Sequence, residues 1–287
     1  MSTHVDSIHM FLPNGTAEGI KVVEISNWVG RAIAGPRSRF DELRKRQEFG
    51  KTGVYILIGQ SEMLDFPTIY VGEGDPVAAR LISHFKQKDF WSTAIFFVSK
   101  DESLNKAHVQ YLEARLVGLA REAKRSVLEN GNVPQAPGLS EMETAYIAAF
   151  LDRVLIICGV LGVGAFQRPT GLSPSGRLLY LRGKGLTATG YEADDGFVAR
   201  AGSESPLTAA KATPGSIVKL RTTLLGQGVF VRDGDRYTLV QDYAFTSPSL
   251  AAAALLGRSA NGRVAWKDET GRTLKEIQEE GPTKAGP

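Results

Sequence analysis

The sequence predicts an α+β protein in which a small antiparallel, three-stranded sheet flanked by helices is followed by a second, smaller α+β domain. Three observations carry that expectation. Strand-like runs GVYILIG, IYVG and AIFFVS at residues 53–59, 69–72 and 94–99 are interleaved with helical patterns. A Pro-, Gly- and Ser-rich stretch, QRPTGLSPSGR at residues 167–177, interrupts the chain. Beyond it the pattern changes to short strands separated by Gly and Asp turns, and 287 residues suffice for two ordinary domains.

Each element has its local reason. HMFLPNGTAEGIKVVEI places strand-like runs on either side of Asn14-Gly15, a strong turn signal, and SRFDELRKRQEF reads as a charged surface helix stopped by Gly50. Residues 1–50 are thus expected to be a β/helix extension, and 51–135 a compact domain. Within it, Val54, Ile56 and Ile58 alternate with Tyr55 and Leu57, and Asp75 and Pro76 read as the cap and first residue of a helix. A long helix from Leu104 to Leu128 carries the stripe Val109, Leu112, Leu116, Leu119 and Ala123. Residues 136–167 form a helical connector. Residues 168–278 form the second domain, in which SPSLAAAALLG is a helix with Ser247 as cap, Pro248 at its first position and Gly257 as stop. Residues 279–287 read as a disordered tail.

Composition narrows the function classes. Hydrophobic content of 43% and charged content of 23% exclude wholesale disorder. A net charge of +3 is compatible with a nucleic-acid partner without demanding one. The single cysteine, Cys158, cannot form an internal disulfide or a thiolate metal site, and the expected compartment is the reducing cytoplasm. No signal peptide is visible, and the most apolar stretch, residues 154–166, falls short of the roughly 20 residues that span a bilayer, so no membrane association is expected.

Gly72-Glu73-Gly74 before a helix looks superficially like a phosphate-cradling turn. It lacks the third glycine of a dinucleotide fingerprint and the Gly-Lys-Ser/Thr of a P-loop, and it puts an anion where a phosphate would sit. No small-molecule organic cofactor is therefore expected. Taken singly, Tyr55 and Tyr70 are good strand residues, Arg80 a solvated helix charge, His84 a half-buried helix residue and Glu113 a surface carboxylate.

Taken together they form a pattern. Gly53-Val54-Tyr55, Tyr70-Val71-Gly72, Arg80 ten residues after Tyr70, His84 four further on, and Glu113 in KAHVQYLEARL resemble the GIY-YIG endonuclease family over residues 53–132. The resemblance implies a metal-dependent DNA endonuclease. Glu113 would hold Mg2+ (or Mn2+), Arg80 would grip the phosphate and Tyr55 would serve as a proposed general base. Tyr70 would orient water or phosphate, and His84 would shuttle a proton or contact the backbone. Gly53 and Gly72 are the supporting glycines, and an Asn after the glutamate helix matches Asn130 or Asn132, with Asn130 preferred. The connection between Tyr55 and Tyr70 is longer than the family usually shows, which leaves their strand register to the structure. The chemistry is coherent, because magnesium is commonly held through one or two carboxylates plus water and phosphate oxygens, and a guanidinium fork matches a phosphate.

Lys106 shares a helix face with Gln110 and Glu113 and is a candidate DNA contact. The segment RPTGLSPSGRLLYLRGKG holds Arg168, Arg177, Arg182 and Lys184 without an acid, a candidate backbone-binding strip. The C-terminal half resembles an uncharacterised accessory domain found downstream of GIY-YIG modules, for which DNA targeting is the expectation. Two other readings stand beside the enzyme: a nucleic-acid-binding module without turnover, and a protein-interaction scaffold of a defence or repair complex.

Overall fold

The computed structural model describes residues 7–60, 66–167, 177–183, 185–193 and 196–280. The described residues up to Gln167 form one compact unit and those from Arg177 onward a second.

The first unit contains β1 (Ile8–Phe11), β2 (Lys21–Ile25), β3 (Gly30–Pro36), α1 (Phe40–Leu43), β4 (Gly53–Gln60), β5 (Pro67–Gly74), α2 (Val77–Gln87), β6 (Thr93–Ser99), α3 (Lys106–Ala123), β7 (Val127–Leu128) and α4 (Glu141–Val160). The strands make one seven-stranded sheet in the order β1-β2-β3-β6-β4-β5-β7. The three-stranded expectation is corrected here. The hairpin β4–β5 and its neighbour β6 are its centre, but β3 pairs with β6 along its whole length and brings β1 and β2 with it. Residues before Gly50 thus supply three of the sheet's seven strands and belong to the same unit. β3 escaped sequence reading because GRAIAGP contains two glycines and a proline, yet Gly35 is needed where the Leu43 side chain packs close to the strand.

Both faces of this sheet are covered, which is why its central strands read as unbroken apolar runs. Val54, Ile56, Ile69, Val71, Ile95 and Phe97 pack with residues of α3 and α4. Tyr55, Leu57, Ala94, Phe96 and Val98 pack on the other side with Phe40, Leu43, Phe49, Val77, Leu81 and Trp91. α4 buries Ile147, Phe150, Leu151, Val154, Ile157 and Cys158, so the stretch expected as a connector is part of the first core.

Several local expectations shift. The charged segment at 38–49 is a short α1 between two 3-10 turns, Arg37–Arg39 and Gln47–Gly50. Asp75 does not cap α2. Its carboxylate accepts from Thr52 Oγ1 at 2.6 Å, Pro76 is the N-cap residue, and the first helical N–H, that of Val77, donates to the Lys51 carbonyl at 3.0 Å. α3 stops at Ala123 because Lys124 turns left-handed at φ 53°, and the chain then lies parallel to β5 as β7.

The second unit contains β8 (Leu179–Gly183), β9 (Leu186–Ala193), β10 (Gly196–Ala199), β11 (Glu204–Pro206), α5 (Gly215–Gly226), β12 (Phe230–Asp233), β13 (Arg236–Leu239), β14 (Tyr243–Phe245), α6 (Pro248–Leu256), α7 (Gly262–Ala265) and α8 (Leu274–Glu279). They form a four-stranded sheet, β14-β10-β9-β8, and a three-stranded sheet, β11-β13-β12. The protein is α+β throughout. α6 begins at Pro248 under a Ser247 cap and ends at Gly257 in the left-handed region, as its sequence requires. Trp266 is fully buried, donates from Nε1 to the Pro248 carbonyl at 3.0 Å and packs on Phe197, so it is core. The tail expectation is corrected at its start: Thr273 and Glu276 form a capping box that begins α8. Residues 281–287 lie outside the described residues.

Beyond Ile69, β5 has no strand on its outer side among the described residues, because β7 pairs only with Thr68 and Ile69. The Asn130 side-chain amide continues the pairing by one step. Its Oδ1 accepts from the Val71 N–H at 2.9 Å and its Nδ2 donates to the Val71 carbonyl at 2.8 Å. Asn130→Ala should therefore cost about 1–3 kcal/mol by leaving both backbone groups unpaired. Urea unfolding checks this, and a change under about 0.5 kcal/mol, the size of an ordinary surface substitution, would show that the amide is dispensable.

Candidate functional site

The register of β4 on β5 pairs Tyr55 with Gly72 and Leu57 with Tyr70. Cross-strand partners share a face, so the two tyrosines point to the same side despite the long connection. Their ring centroids lie 6.3 Å apart. The glycines of the two tripeptides have definite tasks. A Cβ on Gly72 would collide with the Tyr55 hydroxyl and ring, and one on Gly53 would collide with the Phe97 carbonyl of β6. Gly72 thus opens the space into which the Tyr55 hydroxyl projects.

α2 buries Val77, Leu81 and His84 at helical spacing. His84 then lies against Tyr70 with centroids 4.9 Å apart and against Tyr55 at 5.9 Å. Arg80, one turn earlier, is exposed, and its charge bears on both tyrosines. Glu113 belongs to α3, whose apolar residues pack on the opposite face of the sheet. It is half-buried, and its charge nevertheless reaches Tyr70 and Tyr55 and interacts with that of Arg80. The meeting place is the outer edge of β5 at Gly72–Gly74, where no strand intervenes.

The electrostatics of this spot are distinctive. Burial, reinforced by the Glu73 carboxylate, pushes the Glu113 carboxyl up to about 7 against the pull of Arg80 and Lys106. Among the described residues, no hydrogen bond or ion pair reaches Glu113. Glu73 itself is buried, and both its oxygens accept from Lys106 Nζ at 2.7 Å. Burial, then Lys88 and Arg80, lowers His84 to about 4, which keeps its imidazole neutral. Burial raises the Tyr55 phenol far above its ordinary value, and the Tyr70 phenol is raised as well, by burial and then by Glu113. The Tyr55 hydroxyl and both His84 ring nitrogens are buried without a well-formed hydrogen bond, although the Tyr55 hydroxyl approaches Tyr70. Unpaired buried polar atoms cost about 1–3 kcal/mol each, so these adjacent groups are candidates for hydrogen bonding to a ligand or to water.

Among the described residues, no three His, Cys, Asp or Glu side chains gather as a cation site. A divalent cation here must therefore be held by one or two carboxylates, as magnesium commonly is. An unpaired, half-buried Glu113 carboxylate suits that task, and the donor set is hard oxygen.

The other predicted residues divide. Asn130 is a sheet-edge residue paired with Val71, outside the tyrosine face. Lys106 is tied to Glu73. His108, near Glu113 in sequence, forms a capping box with Asn105 and is buried at the start of α3. Arg177 and Arg182 are exposed in the second unit, Arg182 5.7 Å from the Tyr180 ring centroid. Arg168 and Lys184 lie outside the described residues. Sequence reading missed Glu73 as a buried member of the charge cluster. It also missed Lys88, whose ammonium sits 4.5 Å from the Tyr70 ring centroid.

Residues 179–278 match the family described as a domain of unknown function (DUF4357), which covers much of the second unit and none of the first. A 93-residue stretch, 32% of the chain, is 37% identical to histidinol dehydrogenase of Cereibacter sphaeroides. The chain spans about 20% of the length of that curated relative. No solved structure matches. No helix among the described residues is long and apolar enough to cross a membrane.

The Glu113 environment has a direct consequence for stability. A carboxyl held at about 7 in the folded state, against 4.5 ordinarily, binds its proton more tightly when folded. Its contribution is therefore neutral below about 4.5, becomes unfavourable as pH rises through that window, and is fully unfavourable above about 7. In metal-free buffer at pH 8, Glu113→Gln should stabilise the protein by about 1–3 kcal/mol, with no gain at pH 4. A melting-temperature series against pH checks this, and equal gains at both pH values would show that the charge is not the cause.

Proposed function

We propose that the first unit is a GIY-YIG-type, divalent-metal-dependent endonuclease that hydrolyses DNA phosphodiester bonds in the cytoplasm. The observation that carries this reading is Glu113: a half-buried carboxylate without a protein partner, in electrostatic contact with Arg80 and with two tyrosines on one sheet face. Phosphodiester hydrolysis needs an activated water and a site that neutralises charge growing on the phosphate.

Glu113 would hold Mg2+ or Mn2+. When bound, that cation supplies charge neutralisation at the phosphate and makes a coordinated water more acidic. Arg80, exposed beside the tyrosines, reaches a non-bridging phosphate oxygen with its planar fork. Tyr70, half-buried, presents its hydroxyl to orient phosphate or water. Tyr55 takes a narrower role than the resemblance implies. Its burial holds the phenol protonated, so it donates a hydrogen bond unless a cation lowers it. His84, held neutral and without a hydrogen bond among the described residues, passes a proton by accepting at one ring nitrogen and releasing from the other. Targeting of DNA is assigned to the second unit, with the exposed Arg177 and Arg182 as its first candidates.

The test uses the full chain with supercoiled and branched DNA in magnesium or manganese. Wild type should cleave, and Glu113→Ala and Arg80→Ala should each lower the rate by about 100-fold or more. Cleavage that survives Glu113→Ala would show that the site is wrong. Binding without cleavage of any DNA or RNA would favour the module without turnover.

A further inference from the structure

Arg80 and His84 lie one turn apart on α2, and Lys88, its extended C-cap residue, joins them in a stripe because its ammonium lies over the Tyr70 ring that His84 also packs against. The stripe begins with an exposed guanidinium beside the tyrosines, passes a buried imidazole, and ends with an ammonium placed over the Tyr70 ring. Lys88 is half-buried, and its backbone is held firmly. Its N–H donates to the His84 carbonyl at 2.9 Å, and its own carbonyl accepts from Arg37 at 2.5 Å. The Arg37 guanidinium also donates to the Phe85 carbonyl and packs over the rings of Phe85 and Trp91. The end of α2 is thus anchored by a cation that neutralises its free carbonyls.

Three lysines of this unit are ion-paired: Lys51 reaches Glu102, Lys100 reaches Glu24, and Lys106 is tied to Glu73. Neither Arg80 nor Lys88 has a carboxylate within ion-pair distance among the described residues, although Asp89 is the next residue in the chain. The two are therefore cations without an ion-pair partner among the described residues, although the Arg80 charge also acts on Glu113. The eight-residue step from Arg80 to the C-cap residue Lys88 advances about 12 Å along the helix axis. Successive phosphates of one DNA strand advance by about 3.4 Å along the duplex axis, so a single strand laid along α2 meets both cations a few nucleotides apart.

We infer that Lys88 is a second phosphate-binding cation of the site, gripping a DNA backbone phosphate that flanks the one held by Arg80, so that α2 tracks the substrate strand. This inference rests on the nuclease reading for the identity of the substrate, but its signature is one of binding. Each phosphate neutralised by a cation releases counterions and adds about 0.9 to the slope of log affinity against log salt on duplex DNA.

The experiment measures fluorescence anisotropy of a labelled duplex with the full chain in EDTA, over salt from about 50 to 200 mM. Lys88→Gln, which keeps the aliphatic stem, should weaken binding about tenfold and flatten the slope by about 0.9. Lys88→Arg should restore both. Weakened binding with an unchanged slope would mean that Lys88 acts only through packing, and would overturn the inference, as would failure of the Arg variant to restore the slope. Arg80→Gln separates the two claims. If it flattens the slope and Lys88→Gln does not, this inference fails and the Arg80 site stands. If neither does, both fall. Absence of cleavage by wild type in magnesium, with the Lys88 effect intact, would sink the nuclease reading and leave Lys88 as a DNA contact.

Discussion

The pairing of Tyr55 with Gly72 across β4 and β5 is the constraint on which the first unit's site depends. The missing Cβ at Gly72 leaves room for a buried phenol at the very edge of the sheet. A register slip by one residue would send Tyr55 to the opposite core and break the apolar run Val54, Ile56. That run packs against α3 and α4, and the alternate residues pack against α1 and α2. With both faces buried, the register is fixed by the hydrophobic effect on two sides at once. Tyr70, His84 and Arg80 follow from it, because α2 starts immediately after β5 and buries Val77, Leu81 and His84 against the tyrosine face.

The second organising feature is unequal neutralisation of two nearby acids. Glu73 is satisfied by Lys106, whereas Glu113, whose carboxyl Glu73 pushes upward, has no hydrogen bond or ion pair among the described residues. A protein that needed only stability would not keep a half-buried acid in this state, since ionising it above about pH 7 opposes folding. Stability given up at one carboxylate while the adjacent one is paired is what a site completed by a ligand would show. The open edge of β5 makes this possible. A continuing strand there would separate α3 from the tyrosine face, and β7 stops at Leu128.

The second unit has its own keystone. Arg221 is buried without a carboxylate partner and donates to the Ser205 hydroxyl and to the carbonyls of Ala254 and Pro206. It lies near the rings of Phe230 and Tyr237. One guanidinium thereby ties α5, α6 and β11 together beside the β12–β13 hairpin, a task no apolar side chain could perform with three acceptors present. The relation of residues 179–278 to a domain of unknown function adds a boundary to this unit and no chemistry.

What the sequence by itself determined is the set of local signals that do not depend on distant contacts. The two tripeptide strands, the helix bearing Arg80 and His84, the stripe around Glu113, and α6 with its Ser247 cap and Gly257 stop are all encoded by periodicity and capping chemistry over short ranges. Tertiary structure alone decided the rest. β3, with its glycines and proline, has no strand signature and exists because β6 offers it a partner. Asp75 looks like a cap but finds Thr52, twenty-three residues away, a better partner. Asn130 reads as a site residue and is used to close a sheet edge. Lys88 carries no signal beyond its spacing, and only the packing of α2 brings its ammonium over Tyr70. Backbone preferences act between neighbours in the chain, whereas pairing, burial and charge act between neighbours in space.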